Sequence, residues 1–202
     1  MLKKMKSINK IPVFYGYVIA FEARTAWGLK DCNMGYPNLC QRGCKYIREN
    51  RDRIIERYDH HSQNIARIMG RDNFNVWLLE PDFWQFYGDH HSQEGGTLSG
   101  EEMRSLFDDI VTAIKNNLPQ AAISWDISPW IGDDGMRKWW SYFSSSPHID
   151  FIHTSGGGAH GESEFMQPGQ ASWRFMNNLT GKKIIADSGY GVGGAADSNI
   201  FF

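Results

Sequence analysis

Five short apolar runs, separated by stretches of helical periodicity, constrain this chain more than any other feature. The runs are Ile11 to Phe21, Val76 to Glu80, Ala121 to Asp126, Ile149 to Thr154 and Lys183 to Asp187. After the first run the spacing predicts a loop, Glu22 to Leu39, and then a helix from Cys44 to Met69. Ile47, Ile54, Tyr58, Ile65 and Ile68 recur near one face of that helix, and Gly70 stops it. Ser99-Gly100-Glu101-Glu102 is a capping-box pattern for a second helix that runs to Asn117 and is closed by Pro119. An aromatic helix with Trp139, Trp140, Tyr142 and Phe143 follows, and a short one from Trp173 to Leu179 ends at Gly181. Strands that alternate with helices predict an α/β fold with a parallel sheet and helical crossovers. Five strands are too few to close a barrel.

The chain has 202 residues, which suits one domain spanning 11–202 behind a basic segment, 1–10. Its net charge of −2 argues against a nucleic-acid partner, and no stretch is long enough to span a bilayer. The first twenty residues imitate a signal peptide, with lysines ahead of an apolar run, but Pro12, Gly16 and three rings in that run fit a strand better. Three cysteines, Cys32, Cys40 and Cys44, lack the paired spacing of a zinc site; one local disulfide is possible. The pentapeptide Asp-His-His-Ser-Gln occurs at Asp59 and again at Asp89. Its adjacent histidines diverge on a helix, so a solvated surface is expected there and no metal.

Chemistry is expected at the strand ends. Pro81 cannot donate to a sheet ladder and favours an extended Glu80, so the second strand stops at Glu80-Pro81-Asp82. The first run leads through its loop to Asp31, the third ends at Asp126 and the last at Asp187. In a parallel sheet those ends share one edge, where α/β folds place their ligands. Rings follow the acids: Phe83, Trp84 and Phe86, then Trp130, then Tyr190. With 14% aromatic residues the chain has rings to spare for flat apolar faces. Paired carboxylates beside such platforms are what glycosidic cleavage needs. Each acid also has a plainer reading: Asp31 can end a turn, Asp126 and Asp187 can cap helices, and Glu80 can pack at the strand end. Trp139 and Trp140 fit a core.

At this level the chain resembles the family 6 glycoside hydrolases, the inverting cellulases. The segments that carry the likeness are LLEPDFW, LKDCN, LPQAAISWDISPW and IIADSGYGVGG. The resemblance implies a distorted, TIM-like (β/α) barrel, shortened and incomplete, acting outside the cell on a β-1,4-glucan without a cofactor. It casts Asp82 as general acid, Asp31 as its assisting carboxylate and Asp126 as a cleft acid with a catalytic role. Trp84, Trp130, Asp187 and Tyr190 would bind substrate. The family's usual base and the second cysteine of its disulfide have no counterpart, so Cys32 would pair with Cys40 or Cys44. The alternative is a glycan-binding protein or inactive fragment that keeps the cleft. Unpaired sheet edges make either an oligomer or a marginal fold with exposed edges a further expectation.

Overall fold

The computed structural model describes residues 10–88, 94, 96–154, 163–167 and 169–186. Five strands lie in chain order in one sheet: β1 (Val13–Gly16), β2 (Asn75–Leu79), β3 (Ala121–Asp126), β4 (Phe151–His153) and β5 (Lys183–Ile185). β3, β4 and β5 pair in parallel, with Asp126 opposite His153 and His153 opposite Ile185. The helices among the described residues are α1 (Val18–Trp27), α2 (Leu39–Glu49), α3 (Arg51–Met69), α4 (Gly100–Asn117), α5 (Gly132–Phe143) and α6 (Trp173–Thr180). The fold is α/β with parallel strands and helical crossovers, open as in an incomplete barrel. β2 and β3 are buried along their whole lengths, which explains why they read as continuous apolar runs.

Two sequence expectations need correcting. The first strand does not extend from Ile11 to Phe21. It covers Val13–Gly16, and the chain turns helical at Val18. Ile19, Ala20 and Ala23 share the buried face of α1, and Gly28, at φ +64°, closes it by donating its amide to the Arg24 carbonyl at 3.0 Å. The first third of the supposed loop, Glu22 to Trp27, is therefore helix, because a run of Val, Ile and Phe satisfies a strand or a buried helix face equally well. The helix expected from Cys44 to Met69 is two helices. They break at Asn50, whose side-chain amide donates to the Tyr46 carbonyl at 2.9 Å.

The chain groups into two compact units. The first comprises 1–77 and 85–121, and the second 78–84 and 122–202. In the first unit the Tyr58 hydroxyl on α3 donates to the Gly16 carbonyl at 2.7 Å, and the Trp77 ring lies against Phe14 and Tyr58. The Asn117 amide at the end of α4 donates to Asp59 and to Ser62 on α3, at 2.7 and 2.9 Å. Ser99 and Glu102 form the reciprocal capping box that their spacing predicts. Cys32 is bonded to Cys40, and Cys44 is a buried free thiol that donates to the Phe86 carbonyl at 3.1 Å. Burial pushes that thiol up to about 11.

Gly43 on α2 is a glycine that packing demands. A Cβ there would meet the buried Phe86 ring at 2.2 Å. Alanine normally favours a helix over glycine by about 1 kcal/mol, yet overpacking a core costs about 1–3 kcal/mol. Gly43→Ala should therefore lower the urea midpoint, and adding Phe86→Leu should restore part of the loss. A more stable single variant would show that the ring gives way freely.

In the second unit, Trp125 of β3 stacks on Trp139 of α5 with centroids 5.8 Å apart and meets Phe143 at 4.4 Å. Phe83 closes the cluster edge-on against Trp125. Ser172 caps α6 by accepting from the Phe175 amide at 3.1 Å. Below the strands, the Asp150 carboxylate accepts from the Ile123 amide at 2.8 Å.

Candidate functional site

The second unit's polar chemistry follows from strand alternation. Ile123 and Trp125 turn to one side of β3, with Trp125 packed on α5, so Ser124 and Asp126 turn to the other. His153 is the register partner of Asp126 and lies beside both polar residues. All three side chains are shut off from solvent, as are Ser128 and Thr154. A carboxylate in such a place has to be hydrogen-bonded. Asp126 Oδ2 accepts from the Ser128 hydroxyl at 2.9 Å and from the Asp82 backbone amide at 3.2 Å. Its backbone carbonyl accepts from the Trp139 indole at 3.0 Å.

Asp126 Oδ1 faces His153 Nε2 at 3.9 Å, and His153 Nδ1 lies 3.1 Å from the Ser124 hydroxyl. A carboxylate at that distance would by itself favour a charged ring. Burial prevails, and although a backbone hydrogen bond to Ser124 pulls the other way, the imidazole is pushed down to about 3. His153 is thus neutral at physiological pH.

The Glu80-Pro81-Asp82 segment has the most unusual backbone. Glu80 and Asp82 are the two non-glycine residues with positive φ among the described residues, at +44° and +63°. Proline disfavours a helical conformation in the residue before it and was expected to leave Glu80 extended. That expectation is corrected: tertiary packing holds Glu80 left-handed. The Phe83 amide donates to the Glu80 carbonyl at 3.1 Å, which closes a tight turn with Pro81 second and Asp82 third. This is the pattern of a type II turn, where the third position favours glycine. Asp82 occupies it with its amide held by the Asp126 carboxylate.

The sequence-derived site residues therefore have different fates. Asp82 and Asp126 are brought together, with Asp82 partly exposed and Asp126 buried. Trp130, in the short 3-10 turn Pro129–Ile131, keeps 41% of its surface exposed. Trp84 is corrected as a stacking platform: it is 8% exposed, and its ring packs edge-on against Trp139. Asp31 belongs to the first unit, follows α1 rather than a strand, and is ion-paired with Arg24. Asp187 and Tyr190 lie outside the described residues.

Sequence reasoning missed His153, Ser124 and Ser128. The available signal was polarity in the wrong place: a serine two residues before an acid in an apolar strand, and a histidine ending the next strand. Among the described residues, no group of three or more His, Cys, Asp and Glu is placed to hold a metal, and no helix is long and apolar enough to cross a membrane.

No family model matches this chain, and no curated protein does. Solved structures resemble it, among them two old yellow enzymes. The old yellow enzyme homologue from Zymomonas mobilis has a TM-score of 0.41 and 15% identity, covering 70% of this chain and 42% of its own. Old yellow enzyme from Pichia sp. AKU4542 has a TM-score of 0.44 and 12% identity, covering 94% of this chain and 49% of its own. The chain spans less than half the length of either. At such identities the likeness concerns fold alone. No family model matches and the solved structures named are old yellow enzymes, so the expected family 6 membership is corrected, and with it the glucan hydrolase activity; the glycan-binding alternative has no support either.

Proposed function

We propose that the second unit carries an acid–base site at the carboxyl end of β3 and β4, with Asp82 as the group that meets the ligand. The observation that carries this reading is the left-handed turn around Pro81, held by a buried carboxylate. Non-glycine residues in that conformation cost of order 1–3 kcal/mol each and persist where the surroundings over-determine them, commonly at functional sites. Here the turn sets a partly exposed carboxylate at the strand edge, while Asp126, Ser128 and His153 stay buried behind it. An acceptor in that position suits a small organic molecule with an N–H or O–H donor. The carboxylate would accept that hydrogen bond and, in a reaction, the proton. The exposed Trp130 ring, two residues beyond Ser128, offers a flat apolar neighbour.

Two variants at one position test the proposal. Asp82→Gly removes both the carboxylate and the strain, and should stabilise the fold by about 1 kcal/mol. Asp82→Asn keeps the shape and tolerates the same φ, so its stability should stay within about 0.5 kcal/mol. Imidazole, ethanolamine and acetamide serve as probes, read by thermal shift and by chemical-shift titration. At least one should bind saturably to the parent, and at least about tenfold more weakly to Asp82→Asn, as expected for loss of a charged hydrogen-bond acceptor. Destabilisation by Asp82→Gly, or equal probe binding by the parent and Asp82→Asn, overturns the assignment.

A further inference from the structure

We infer that His153 is a positioning residue for Asp82: a neutral imidazole, protonated on Nε2, that orients the Asp126 carboxylate which in turn holds the Asp82 amide. The inference rests on the reading of Asp82 as the reacting group, and its observations are separate. Asp126 has two differently employed oxygens. Oδ2 takes the Ser128 hydroxyl and the Asp82 amide, while Oδ1 points at His153 Nε2 from 3.9 Å. Rotation of the carboxylate part-way out of this plane would release the amide. A donor facing Oδ1 resists that rotation.

His153 can be that donor only in one tautomer. An Nε2 lone pair aimed at a buried carboxylate oxygen is repulsive in a medium of low dielectric, whereas an Nε2–H is attracted to it. On the far side of the ring, the Ser124 hydroxyl at 3.1 Å from Nδ1 can donate, because a hydroxyl serves as donor or acceptor as its neighbour requires. The Ser124 hydroxyl donates to Nδ1, the Nε2–H faces Asp126 Oδ1 across 3.9 Å as an electrostatic contact and not a hydrogen bond, and the Asp82 amide donates to Asp126 Oδ2. The arrangement follows the general pattern in which a second group fixes the tautomer of a histidine. His153 has no solvent-exposed surface, so its effect reaches Asp82 through Asp126.

The test needs no ligand, so its failure is distinct from failure of the binding proposal. Long-range ¹H–¹⁵N spectra of the parent report the tautomer, and an Nε2–H ring with bare Nδ1 is expected from pH 6 to 8. Amide hydrogen exchange then reads the relay. In His153→Leu the Asp82 amide should lose at least tenfold of its protection while the Ile123 amide, held by Asp150 in the same unit, keeps its own. In His153→Gln, whose side-chain amide can still donate towards Oδ1, the Asp82 protection should largely return. An Nδ1–H tautomer in the parent overturns the inference, and does so even if the leucine variant does not fold. Equal losses at Asp82 and Ile123, no loss at Asp82, or no rescue by glutamine overturn it as well.

Discussion

Lowering the pH from 7 to 5 should cost the folded protein about 2 kcal/mol through His153 alone. In the unfolded chain this ring binds a proton near pH 6.5, whereas in the fold burial pushes it down to about 3. Between those values the unfolded state holds a proton that the native state does not, so stability falls as pH falls. The contribution is fully present well above pH 6.5, declines below it with a slope that approaches about 1.4 kcal/mol per pH unit, and levels off near pH 3. The interval from pH 7 to 5 lies above the ordinary range of carboxylates, which isolates the histidines. His61 is also shifted down, by burial first and then by its neighbour His60, and it adds a smaller loss of the same sign. Urea unfolding at pH 7, 6 and 5 should show the decline in the parent, most of it absent from His153→Gln and nearly all of it retained in His61→Gln. Stability that held level or rose on acidification would mean that the Asp126 carboxylate outweighs burial at 3.9 Å, with the ring charged.

Reducing the bond between Cys32 and Cys40 should remove about 2–3 kcal/mol, the loop-closure entropy expected for a ring this short. The two cysteines are 8 positions apart. The segment between them is already pinned by backbone bonds from Lys30 to Pro37 and from Leu39 to Lys30, at 3.0 and 2.9 Å. The native loop therefore has little freedom to recover, and the effect acts mainly on the unfolded chain. A Cys32→Ser, Cys40→Ser double variant should show the lower urea midpoint that reductant produces in the parent, with no further response to reductant. Cys44 should stay silent to alkylating reagents in both proteins until they unfold, because it is buried and its thiol is pushed up to about 11. Unchanged stability after reduction would place the loop's order in its backbone bonds alone.

What the amino-acid sequence determined by itself was local. β3 is legible to the residue because an apolar run ends at an acid and a helix breaker precedes it. The start of α4 is legible because Ser99 and Glu102 satisfy each other's backbone donors across three positions. The parallel α/β class follows from the alternation of such segments. The first strand and α1 were not separable, because Val18, Ile19 and Phe21 suit either state until neighbours choose between them. Tertiary structure also reversed a local preference at Glu80, which precedes a proline and is nevertheless left-handed in a buried turn. It likewise decided that Trp84 belongs to the core while Trp130 remains exposed. Most of all it decided the partnership of Asp126 and His153, since strand register sets which polar residues meet, and register depends on pairing between segments 27 residues apart. A carboxylate and an imidazole that look unremarkable in their own strands acquire their chemistry only when the sheet buries them side by side.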